Sequence, residues 1–273
     1  MEIVTAAKNK HLVFIYEALG TMMLMFAINI QAGSTAFGQF GIAFMLFACL
    51  LIGGPITGAH YNPAVTIGVF ITNKHWKEDF AMFAVMISAQ FVGSVMGVFL
   101  VWVSLINKTG LVPVTRESIP TSEMVELLPL VPTQTGWNCF QIELICTFTF
   151  VMINLLVKTQ KTSPTSDGFL SCLGVAFTLL AMITISGQKT GGCINPAVAF
   201  GQTILEWIQY GRKVPNPQPD GSAWQGGTFY SGYLFMYIGA EVTAAILAGF
   251  FHRFHVKTYK EIALQAGENK LVN

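Results

Sequence analysis

Apolar residues in this chain gather into long runs separated by short polar or glycine- and proline-rich stretches. Six runs, near 11–31, 38–54, 80–106, 137–157, 169–187 and 229–251, are long enough to cross a bilayer as helices, since the hydrocarbon layer takes about 20 residues of helix. Two more, near 62–71 and 195–208, are apolar but too short to span. The order is three crossings with a short helix after the second, and then the same order again. The predicted fold is therefore an all-α membrane protein with six transmembrane helices and two re-entrant half-helices in an inverted internal repeat. The inversion follows because each repeat crosses an odd number of times, so the half-helices enter from opposite faces.

The halves echo each other residue by residue. Glu17-Ala18-Leu19-Gly20-Thr21 in the first segment has its counterpart in Glu143-Leu144-Ile145-Cys146-Thr147 of the fourth. Ala89-Gln90 in the third is mirrored by Ala240-Glu241 in the sixth. The expected organisation is a tail over 1–10, a first repeat over 11–106, a connecting loop over 107–136, a second repeat over 137–251 and a tail over 252–273. The first ten residues, with Glu2, Lys8 and Lys10, do not resemble a cleaved signal peptide. The proline-bearing stretches 107–136 and 209–228 read as surface loops without catalytic pattern.

Each short helix opens on the same tripeptide, Asn62-Pro63-Ala64 and Asn195-Pro196-Ala197. Proline suits the first helical position and Asn the cap before it. Such a helix aims its free N–H groups and the positive end of its dipole wherever the Asn points. Two of them meeting near the bilayer midplane build a polar pathway through an apolar bundle.

Composition agrees with a lipid solvent: 53% of residues are hydrophobic and 11% charged, with a mean hydropathy of +0.56. A net charge of +1 gives no footprint for nucleic acid. Ten Lys and Arg fall on the segments that share a side with the termini and five on the other side. That bias puts both termini in the cytoplasm, and the Asn107-Lys108-Thr109 sequon outside. The five cysteines form no CxxC pair, and four lie in apolar segments where reduced, packed thiols are expected.

Glu17 and Glu143 admit two readings. An ionisable residue inside a membrane can relay protons, or it can accept the N–H groups that a re-entrant loop leaves without helical partners. The second suits their positions better. Glu241 reads as a structural hydrogen-bonding group. His60, two residues before Asn62, has no companion at metal-ligand spacing, and reads as a pore-wall or backbone-bonding residue. No metal, cofactor or catalytic set is expected.

With both tripeptides, Glu17 with Gly20-Thr21, Gly58-Ala59-His60, Ala89-Gln90, Glu143 and Gly201 in place, the chain resembles the aquaporin, or major intrinsic protein, family along nearly its whole length. The resemblance implies that Asn62 and Asn195 donate to a single file of solute, that each Glu braces one half-helix loop, and that the protein is a homotetramer with one pore per subunit. It also implies a four-residue outer filter. Counted from the two Asn residues, the filter falls on Ile42, Ile183, Gly192 and Val198, with Phe40 in place of Ile42 if the register slips. Water-selective members usually have an aromatic, a His, a small residue and an Arg there. This chain lacks the Arg, and Ala199 stands where glycerol facilitators usually carry Asp. A Val and Ile filter is closer to the vacuolar plant branch.

The expected function is a passive channel for water and small uncharged solutes such as glycerol, urea, ammonia or peroxide, in a plasma or vacuolar membrane. Three alternatives are a solute facilitator with modest water flux, a junctional membrane protein with incidental conduction, and a proton-coupled transporter using Glu17 and Glu143. Lys189 reads either as a solvated loop lysine or as a positive charge at the outer mouth.

Overall fold

The computed structural model describes residues 9–31, 38–73, 75–104, 136–159, 162–210, 213–216, 225–228 and 232–265. The first repeat holds α1 (Lys10–Gln31), α2 (Gly38–Thr57), the short α3 (Pro63–Thr72) and α4 (Trp76–Ser104). The second holds α5 (Gly136–Lys158), α6 (Gly168–Thr190), the short α7 (Pro196–Tyr210) and α8 (Gly232–Gln265). Among the described residues, six helices are long and apolar enough to cross a membrane: α1, α2, α4, α5, α6 and α8. Nearly all of the expected connecting loop, including the Asn107 sequon, lies outside the described residues.

Two expectations need correction. The last helix does not end near 251 but continues to Gln265. Residues 252–265 contain neither Gly nor Pro, so nothing in the local sequence stops the helix where the apolar run ends. Its exposed continuation carries a Lys257–Glu261 pair at 3.8 Å, at the i,i+4 spacing that supports a solvated helix. Within 209–228, read as loop, a two-stranded antiparallel hairpin pairs β1 (Lys213–Asn216) with β2 (Gln225–Thr228), in a register set by Lys213 opposite Thr228. The all-α bundle thus carries one small β extension.

Helix packing shows the internal two-fold. Under the exchange α1↔α5, α2↔α6, α3↔α7 and α4↔α8, every contacting helix pair maps onto another contacting pair or onto itself. The pair α1–α4 maps onto α5–α8, and α3–α8 onto α7–α4. Each half-helix thus packs most extensively against the last span of the other repeat. Small residues allow the close approach that apolar solvent does not enforce: a Cβ on Gly93 of α4 would lie 2.2 Å from the Ala18 carbonyl oxygen of α1.

The distribution of polarity is inside-out relative to a water-soluble protein. Glu17, Gln90, Glu143 and Glu241 are fully buried, whereas Phe99, Ile145, Ile185 and Phe235 are 58%, 62%, 63% and 74% exposed. Apolar surface on this scale suits lipid or a neighbouring subunit rather than water.

Candidate functional site

Two matching loops lead into the half-helices. In the first, Gly58, Ala59 and Tyr61 have φ of 82°, 48° and 51°; in the second, Gly191, Gly192 and Ile194 have 88°, 65° and 56°. Left-handed backbone costs a residue with a Cβ about 1–2 kcal/mol, so Ala59, Tyr61 and Ile194 need compensation. It comes from the two glutamates. Glu17 Oε1 accepts the His60 N–H at 3.0 Å and the Thr57 hydroxyl at 2.7 Å. Its Oε2 accepts the Tyr61 N–H and the Gln90 amide, both at 2.8 Å. Glu143 repeats the arrangement, accepting the Cys193 N–H at 3.1 Å, the Ile194 N–H at 3.0 Å and the Thr190 hydroxyl. Both carboxylates therefore act as loop braces in this geometry.

Past the loops, each Asn caps its half-helix and reaches across the pseudo-two-fold. Asn62 Oδ1 accepts the Ala64 N–H at 2.8 Å, and Asn195 Oδ1 accepts the Ala197 N–H at 3.0 Å. Pro63 and Pro196 occupy the first helical positions. Asn62 Nδ2 donates to the Ile194 carbonyl at 2.8 Å, while Asn195 Nδ2 donates to the Tyr61 carbonyl at 3.0 Å. The reciprocal bonds clamp one repeat's loop to the other. Each Nδ2 carries two hydrogens, and the clamp engages one.

The repeats differ behind the Asn residues. Gln90 donates to Glu17 and, at 2.8 Å, to the Thr66 hydroxyl. Its counterpart Glu241 instead accepts the Asn195 backbone N–H on Oε1 at 2.8 Å, and its buried Oε2 has no protein partner. The His60 ring meets Thr66 Oγ1 through Nδ1 at 3.1 Å, and its buried Nε2 is left without a partner. Among the described residues no group of three or more His, Cys, Asp or Glu is arranged to hold a metal ion.

Of the four filter positions, Gly192 and Ile183 are in direct contact. Ile183 is buried in the larger core cluster, and Ile42 packs against that cluster. A Cβ on Gly192 would lie 3.3 Å from the Ile183 Cα and 2.9 Å from Ser186 Oγ. Val198, 4% exposed, packs in a second cluster with Met25 and Cys193. Phe40 lies on the exposed face of α2 with Phe44 and Ile52, so of the two candidates Ile42 is the more inward. Lys189 is exposed in the last turn of α6.

Sequence reasoning missed Thr57 and Thr190. Each hydroxyl donates to its glutamate and accepts a loop N–H, from Ala59 at 3.0 Å and from Gly192 at 3.2 Å. Superposing the repeats would have found them, since both stand five residues before their Asn. It also missed Lys158, whose Nζ donates to the Ala59 carbonyl at 3.3 Å. No distance in the sequence links those two.

Comparison with known proteins gives three findings. The family model described as Major intrinsic protein matches residues 5–252. Among curated relatives, "Probable aquaporin TIP-type" of Medicago truncatula is 29% identical over 165 residues, 60% of this chain but only 58% of that protein, less than two thirds of its length. "Aquaporin TIP1-1" of Zea mays is 26% identical over 201 residues, 72% of each. Among solved structures, the aquaglyceroporin from Plasmodium falciparum superposes with a TM-score of 0.69 at 21% identity, covering 90% of this chain and 96% of that one, a likeness of fold.

Proposed function

This chain belongs to the major intrinsic protein family, and from that premise we propose that it conducts water together with small uncharged solutes through one pore per subunit. It is a multi-pass membrane channel of the aquaporin type and not an enzyme. The observation that carries the solute reading is the reciprocal clamp of Asn62 and Asn195, which leaves an amide hydrogen on each side of the midplane for a passing oxygen or nitrogen. Two half-helix dipoles converge there with their positive ends, which opposes cations and admits neutral solutes.

On this reading Ile42, Ile183, Gly192 and Val198 form the outer filter, which then has no side-chain donor. It selects by size and desolvation rather than by hydrogen bonding. Similarity to TIP-type aquaporins supports a vacuole-type membrane, and the Lys and Arg distribution supports cytoplasmic termini. The family resemblance supports a homotetramer, which cross-linking in vesicles would score directly.

The test is stopped-flow swelling or shrinking of vesicles holding the purified protein, run for water, glycerol, urea and ammonia. Water flux accompanied by at least one of the other solutes is expected; water alone, or no flux above empty vesicles, overturns the proposal. In the same assay Asn62→Val and Asn195→Val each remove a cap, a clamp bond and the free donor. The cap alone contributes about 1 kcal/mol. Water permeability per inserted protein should fall by about tenfold or ions should leak, and permeability and conductance both matching wild type would remove the two Asn from the pathway.

A further inference from the structure

Lys158 ends α5 on the side of the bundle that carries both termini, because α5 is the fourth of the six spans. Its ammonium donates not to its own helix but to the Ala59 carbonyl, 3.3 Å away in the first loop. The direction of that carbonyl follows from the peptide bond joining Ala59 to His60. No described peptide bond is cis, so the C=O and N–H of this unit point opposite ways. The N–H is held on Glu17 at 3.0 Å. The carbonyl therefore faces away from Glu17, and Lys158 stands on that face.

The loop thus has two sides. One is closed by Glu17, Thr57 and Gln90. The other presents the Ala59 carbonyl, and the neighbouring His60 keeps a buried Nε2 with no protein partner. A buried polar atom without a protein partner calls for a water or solute as its partner. Lys158 is half-buried, and among the described residues no carboxylate pairs with it. The filter position Val198, by contrast, offers no charge.

We propose that Lys158 is the fixed cation of this pathway, a selectivity-determining residue on the Ala59 carbonyl of the first loop that excludes cations there. The inference rests on the channel reading above. A lysine that merely anchors α5 at the lipid headgroups would leave ion selectivity untouched when replaced.

The full-length protein in vesicles allows the test, with methylammonium conductance and water permeability measured on the same preparation. A unit charge a few ångström from a passing cation changes conductance by about tenfold or more, even in a strongly polarisable surrounding. Lys158→Gln should raise methylammonium conductance by at least that factor while water flux persists, and Lys158→Arg should behave as wild type. Lys158→Cys, in a Cys172→Ser background because the other four cysteines are buried, gives a chemical control. Aminoethyl methanethiosulfonate should restore exclusion, and the sulfonatoethyl reagent should raise conductance further. Equal conductance in wild type, the Gln variant and both modified forms, with water flux intact, overturns the role of Lys158. Absence of water flux in wild type overturns the channel reading instead.

Discussion

Glu17→Leu is expected to abolish the folded channel. The substitution removes the shared acceptor of four groups in the middle of the bundle: the His60 and Tyr61 N–H groups are left with none, while the Thr57 hydroxyl and the Gln90 amide keep only Gly53 and Thr66. Each buried donor left unpaired costs about 1–3 kcal/mol, so the two orphaned N–H groups with the two weakened donors take a large share of the roughly 5–15 kcal/mol that stabilises a typical fold. The left-handed residues Ala59 and Tyr61 then have nothing to hold them. Loss of a monodisperse species in detergent and loss of vesicle water flux are the expected readouts. Glu17→Gln separates this role from proton relay. Its remaining carbonyl still accepts two donors, whereas its NH2 faces the others, so it should fold with a lowered thermal midpoint and conduct without pH-gradient dependence. Wild-type stability in the Leu variant would sink the brace, and gradient-driven uptake lost in the Gln variant would establish the relay.

Val198→Arg should cut solute flux far more than water flux. Val198 is the third residue of α7 and is buried beside Met25 and Cys193. On the proposed reading, an arginine there adds volume, permanent charge and fixed donors to a filter shared with Ile42, Ile183 and Gly192. Water can exchange hydrogen bonds with the guanidinium as it passes; urea and glycerol must also fit around it. An added barrier of 1.4 kcal/mol is about a tenfold change in rate, so the ratio of glycerol or urea to water permeability should fall by about that much. Val198→Met adds volume without charge and divides the steric from the electrostatic part. An unchanged ratio in the Arg variant would place the constriction elsewhere.

The spans and half-helices were legible because the bilayer imposes a length and because Asn-Pro announces a helix start with its cap. The glutamates were legible because a re-entrant loop has an obligatory surplus of N–H groups, and Glu17 and Glu143 were the buried acceptors at matching places. The continuation of α8 was not, since the apolar run reports the solvent and not the backbone. Nor was the clamp between Asn62 and Ile194, because it depends on how two loops 132 residues apart meet. Lys158 escaped for the same reason: as a helix-terminal lysine it looks like any other, and only the position of Ala59 gives it a role.

Because α3 rests chiefly on α8 and α7 on α4, neither repeat is a self-sufficient unit of assembly. During synthesis the first re-entrant segment is made long before its main seat, since α3 ends at Thr72 and α8 begins only at Gly232. Its backbone must be kept from lipid until then, by Glu17 and by whatever the insertion machinery offers. A chain cut before Gly232 should therefore yield no half-conductance but an unfinished bundle subject to quality control.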